Sequence, residues 1–218
     1  FGLAGIAGLM WAVITFKRQA RPEWFEAQPA FKIRPWLVFS AWFALLATVA
    51  SWLPKLSLIV MDTLAVPDVE IARFAAALEI SCFVLLVSKS TNKYYMPQLS
   101  MILAKHNWQL GRQVQRKRTL VVSSICAAFI TVVLIFGRLM LSWFGPEFAD
   151  GYFALNCMTV GTSVATLFAM APEFLKFTGR VKTLLAIYCA AGILLIGLTT
   201  WLARLYGSSG AGFAFGFT

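Results

Sequence analysis

Five apolar runs, each close to the length of a bilayer crossing, constrain this chain more than anything else in it. They cover residues 36–61, 69–91 (with a possible extension to Ala104), 119–143, 152–173 and 183–206. A helix needs about 20 apolar residues to traverse the hydrocarbon core. Inside lipid every backbone N–H and C=O must find its partner within the protein, which leaves helices and closed barrels. These runs are too long for barrel strands and lack strict alternation. The expected fold is all-α, a polytopic transmembrane helix bundle.

Composition bears on what else such a chain can be. Of the 218 residues 60% are hydrophobic and 13% charged. Soluble domains carry about 25% charged residues. A surface of this size cannot be solvated by so few charges, which excludes an ordinary cytosolic enzyme, a disordered chain and a soluble nucleic-acid-binding domain. The net charge of +10 has a different origin. The segments 17–35, 105–118 and 176–182 hold thirteen of the nineteen Lys and Arg residues. The alternate links VPDVEIAR, FGPEFADG and YGSSG are short and hold Asp68, Glu70, Glu147 and Asp150. The two kinds of link alternate along the chain, as successive crossings require. Basic links stay in the cytoplasm, so 17–35, 105–118 and 176–182 are expected there, with no nucleic acid needed to explain the charge.

The apolar residues 1–16 and 210–218 read as pieces of two further helices, so the chain is expected to be part of a longer protein. On this reading 1–16 ends a first lobe, 17–35 is a cytoplasmic linker, and 36–218 is a second membrane bundle cut within its last helix. The polar stretch QLGRQVQRKRT, 109–119, leads into the third run. It is expected to be a helix start at the membrane surface, open to contact with anionic lipid headgroups.

Charged residues inside a bilayer are costly and tend to face a cavity or a partner. At a rise of 1.5 Å per residue, Glu79 lies about 9 Å, Lys89 about 24 Å and Lys93 about 30 Å inward from Arg73. Glu79 is therefore the strongest candidate for a functional intramembrane carboxylate, with a buried structural hydrogen bond or ion pair as the alternative. Lys55, Lys89 and Lys93 are the cations within or at the ends of spans, with snorkelling to the interface as the alternative for Lys55 and Lys89. Ser81, Ser88, Ser90, Thr91 and Asn92 make the same helix more polar than its neighbours. Pro54 and Pro97 are candidate hinges.

Other chemistry is missing. There is no GxxxxGK[ST] phosphate loop, no HExxH and no GxSxG, and His106 is the lone histidine. Cys82, Cys126, Cys157 and Cys189 sit singly in apolar runs, without metal-ligand spacing, and read as small buried hydrophobes. No enzyme, cofactor or metal site is expected.

The stretch from Val66 to Arg118 resembles the central pattern of polysaccharide-transporter flippases. The helix start Val69 to Ala76, the later Pro97, Leu99 and Ser100, and the basic Leu110 to Arg118 follow in the family's order. LMLSWFGPEFADGYFAL, LKFTGRVK and YGSSGAGFAFG resemble its later turns, so the resemblance spans roughly 50–215. It implies the second lobe of a two-lobe transporter of the MATE-like superfamily, in the bacterial inner membrane. It implies an undecaprenyl-diphosphate-linked oligosaccharide as cargo, for envelope polysaccharide or O-antigen synthesis, with a first lobe elsewhere in the full protein. Lys55, Lys89 and Lys93 are then the candidate cations for the diphosphate, and Glu79 the candidate for a coupling cation or proton, or for a sugar hydroxyl. A cation-coupled multidrug exporter of the same superfamily is the alternative. A membrane polysaccharide polymerase or ligase is a third reading, but it would be expected to carry a large external loop that these short links do not provide.

Overall fold

A computed structural model describes Trp11, residues 33–104 and residues 108–218. The expected helix end over 1–16, apart from the helical Trp11, and the linker up to residue 32 lie outside them. The chain divides into two compact units, Phe1–Ser40 and Ala41–Thr218. Of the first, Trp11 and residues 33–40 are described, the latter as the opening turns of α1. The second holds the bundle.

The helices are α1 (Ile33–Thr63), α2 (Asp68–Ala104), α3 (Trp108–Ser142), α4 (Tyr152–Phe168), α5 (Met170–Phe177) and α6 (Val181–Phe217), with a 3-10 turn at Pro146–Gly151. No strand occurs among the described residues. Four helices are long and apolar enough to cross a membrane, or five when α4 and α5 form one bent span. The outside of the bundle is apolar, with Trp143, Phe168, Ile193 and Trp201 among its exposed side chains, as lipid contact requires. The chain is an all-α, multi-pass membrane protein.

The second run takes up its possible extension and continues through Lys93 and Pro97 to Ala104 as one helix of 37 residues, about 55 Å long, well beyond the hydrocarbon core. The basic segment is helical from Trp108 onward, in line with the helix start expected over 109–119, because its long, unbranched polar side chains favour helix. The fourth run, read as one span over 152–173, breaks at Ala169, and its two parts meet at 43°. Pro172 accounts for the break: it has no N–H for the carbonyl of Phe168, and its ring would strike that carbonyl in a continuous helix.

The expected turn between 183–206 and 210–218 is present as a fold-back inside α6. Gly207 has φ 57° and ψ −135°, a conformation that costs glycine little and other residues much. A side-chain carbon on Gly210 would strike the carbonyl of Leu202. In a straight helix those residues would be about 12 Å apart along the axis, so the arm 208–217 returns alongside its predecessor. That arm then packs on α4 backbone to backbone. A Cβ on Gly212 would sit 2.6 Å from the Cβ of Ala154, and Gly216 meets the carbonyl of Cys157 and the backbone of Gly161. The two segments run parallel, since 212 faces 154 while 216 faces 157 and 161. Without a hydrophobic drive between helices in lipid, such small-residue contacts are what bring them together.

The acidic links come together at one end of the bundle, where Arg73 of α2 is the clasp. Its Nη1 donates to Glu70 Oε1 at 2.7 Å, its Nη2 to Asp150 Oδ2 at 2.8 Å and its Nε to the carbonyl of Glu147 at 2.7 Å. Glu70 Oε2 in turn accepts the N–H of Ser208 at 3.0 Å. Beneath the clasp, Met61, Phe74, Leu78, Val133, Leu141, Leu155 and Met158 form the largest core cluster. The lower bundle is joined by Val84, Val122 and Cys126, and by Met96, Leu99 and Met170. Cys126 is buried as the sequence suggests, whereas Cys189 is exposed, on the outward face of α6.

Labelling single cysteines placed at Asp68, Glu147 and Arg180 tests the alternation of ends. The first two positions are expected to react from one side of the membrane and the third from the other. Equal reaction of Glu147 and Arg180 from one side would overturn the arrangement.

Candidate functional site

At the basic end the sequence-predicted lysines separate into two groups. Lys89 and Lys93 lie one turn apart on α2 and line the same open pocket of about 690 Å³. Ser88, Asn92 and Pro97 come from the same helix, Ala165 and Ala169 from the break, Pro172 and Glu173 from α5, and Tyr188 from α6. Lys55 is exposed on α1, and Glu79 is exposed on α2 three turns nearer the clasp. Neither lines this pocket. Glu79 does share a stripe of α2 with Phe83, Leu86, Ser90 and Lys93, spaced by three or four residues and exposed throughout. The charged residues of α2 below the clasp are therefore on its unpacked side. Of the two candidate hinges, Pro54 lies within α1 and Pro97 within α2, each in a helix that continues past it.

The electrostatics of the pocket follow from its partners. Lysines at i and i+4 are neighbours on a helix and repel by a few tenths of a kcal/mol. Glu173 is the carboxylate in the lining, and it is held by Lys176 at 2.8 Å. Among the described residues no carboxylate pairs with Lys89 or Lys93. The pocket thus presents two positive charges that the described residues leave unmet.

Sequence reasoning missed the residue that holds the broken end of α4 behind this pocket, through Asn92 of its lining. Arg118, assigned to a solvated basic segment, is 1% exposed. Its Nη1 donates to the carbonyl of Leu167 at 3.1 Å. Its Nη2 donates to Asn92 Oδ1 at 3.0 Å and, more weakly, to the carbonyl of Thr166 at 3.4 Å. These carbonyls are in the last turn of α4, where a helix runs out of internal donors and carries partial negative charge. Arg118 therefore caps the broken helix from the side. Asn92 completes the tie, its Nδ2 donating to the carbonyl of Ala169 at 3.3 Å.

A signal for this was present in the periodicity. Arg118 is in phase with Val122, Cys126, Phe129, Val133, Gly137 and Leu141, the face that α3 turns inward, of which Phe129 alone is partly exposed. A charged residue in phase with an interior stripe is a packing residue, whatever the composition of its neighbours.

A second pocket of about 500 Å³ lies on the other side of this cap. It is mostly apolar, with Leu99, Leu167, Phe168, Met170 and Phe174 among its lining, and its polar groups come from Arg112, Gln115, Arg118 and Thr119. Asn92 lines the first pocket and Arg118 the second, so the Arg118–Asn92 bond joins the two walls. The chain matches no protein-family model, no curated protein and no solved structure.

Proposed function

We propose that this chain is one lobe of a transporter that moves a lipid-linked oligosaccharide, through its diphosphate, across the membrane. The observation that carries the reading is the pair Lys89 and Lys93, adjacent, exposed to one open pocket and unmet by any carboxylate among the described residues. Ionised phosphates do not enter hydrocarbon without compensation, and two neighbouring ammonium groups at the basic end offer it. A volume of about 690 Å³ is in the range, roughly 300–1,000 Å³, of small-molecule sites. The resemblance of the turns to polysaccharide flippases supports the same cargo. The two positive charges disfavour the cationic drugs that a multidrug exporter would carry. Glu79, farther along the same exposed stripe, is the residue assigned to a coupling cation or proton.

The test is flipping of a labelled lipid-linked oligosaccharide by the complete protein in proteoliposomes. Lys89→Ala and Lys93→Ala are each expected to slow uptake roughly tenfold, which corresponds to about 1.4 kcal/mol of lost phosphate binding. Lys89→Arg retains part of the rate because the charge survives. A double Lys89→Ala, Lys93→Ala variant that is folded and flips at the parental rate would sink the reading.

A further inference from the structure

Arg118 is a buried cation whose counter-ion the described chain does not supply. Among the described residues its partners are two carbonyls and the neutral amide of Asn92, and its Nε has none. Between Glu79 and Glu147 the sequence has no Asp or Glu, so neither α3 nor the second half of α2 can provide one. The nearest acid brought in by α5, Glu173, is engaged by Lys176 and lines the opposite pocket. Capping carbonyls offset part of the desolvation of a guanidinium, but they leave its net charge in place. Buried charges are normally met by an opposite charge.

We propose that the second pocket binds an anionic phospholipid from the surrounding membrane, and that the lipid's phosphate is the missing counter-ion. Three observations fit this occupant. First, the pocket is two-faced: Arg112, Gln115 and Thr119 line it together with Arg118, while Leu99, Leu167, Phe168, Met170 and Phe174 offer an apolar wall. A phosphate with an acyl chain matches both parts, and a free phosphate matches one. Second, the level is right. The apolar part of α3 runs from Thr119 to Ser142, about 36 Å, so Arg112 and Arg118 stand at its boundary, where headgroups lie. Third, the charge is one-signed: among the described residues no carboxylate lines the pocket, and the exposed Arg116 and Lys117 flank it in sequence. Arg112, exposed, makes the direct contact. Arg118 adds its charge from behind and holds the end of α4 that forms the apolar wall. The site does not depend on the cargo assigned to the Lys89 pocket.

The experiment is native mass spectrometry and lipid exchange with the chain purified in detergent, using phosphatidylglycerol, phosphatidylcholine and inorganic phosphate as probes. Phosphatidylglycerol is expected to be retained over phosphatidylcholine by about fivefold or more, the factor given by ~1 kcal/mol for one basic side chain near an anionic surface. Arg112→Ala should remove most of that preference and Arg112→Glu should abolish it. Ala171→Trp, which fills the apolar side from an exposed position, should weaken both lipids. Arg138→Ala, at the other end of α3 against the Tyr152 ring, should leave the preference intact. Displacement of phosphatidylglycerol by millimolar inorganic phosphate would show a free-anion site and overturn the proposal. So would an unchanged preference in Arg112→Glu.

Discussion

Replacing Arg118 with alanine is expected to destabilise the bundle by about 3 kcal/mol, the sum of one charge-assisted bond to Asn92 and the carbonyl of Leu167 left without this donor, while the carbonyl of Thr166 keeps the N–H of Ala169. The side chain is 1% exposed, with an edge on the second pocket. Arg118→Met separates packing from polarity: it restores most of the volume and none of the donors, and should recover less than half of the loss. Arg118→Lys keeps the charge, but a single ammonium cannot span Asn92 and the two carbonyls as the planar fork does. Asn92→Ala should cost about 2 kcal/mol, one charge-assisted bond from Arg118 and one neutral bond to the carbonyl of Ala169. Unfolding in detergent followed by circular dichroism reads all four. An Arg118→Ala protein within 0.5 kcal/mol of the parent would show that the cap contributes little.

Gly216→Leu and Gly212→Leu are expected to expel the arm 208–217 from its place on α4. The obstacle is backbone: the first carbon of any side chain on Gly216 would overlap the carbonyl of Cys157, and on Gly212 it would press on Ala154. Overpacking typically costs about 1–3 kcal/mol where neighbours can yield, and here a main chain would have to yield, so the upper end applies. Gly197 is the control. It is exposed, and nothing lies within 4 Å of where its Cβ would be. Gly197→Leu should be neutral or stabilising by up to ~1 kcal/mol through helix propensity. Crosslinking between cysteines at Ala154 and Phe213 reports the arm directly. Equal crosslinking in the parent and in Gly216→Leu would refute the close-packed arrangement.

The sequence carried the crossings well because length and apolarity are properties of a run, and lipid imposes them run by run. Helices α1, α2, α3 and α6 each cover an expected span, and the turn at YGSSG fell where glycines made it cheap. The break at Ala169 was less legible. Pro172 was visible, but proline inside a membrane helix bends some and stops others, and the side chain that holds the broken end, Arg118, comes from a helix some fifty residues earlier. The candidate residues divide the same way. Lys89 and Lys93 share a pocket because four residues on a helix make one face. Whether Glu79 and Lys55 join them depends on neighbours that no spacing in the sequence encodes. Arg118 and Asn92 were read by composition, as surface basicity and as general polarity. Their pairing is tertiary.

The clasp at Arg73 has a consequence for the order of synthesis. Its first partner, Glu70, lies three residues earlier in the same helix, whereas Asp150 follows 77 residues later and Ser208, which closes on Glu70, 138 residues after that carboxylate. At roughly 5–20 residues per second, the last contact forms about 7–28 s after the first is possible. During that interval the nascent second helix carries its guanidinium already neutralised by its own carboxylate. It can therefore wait in the membrane without an unpaired charge until the chain that completes the knot has been made.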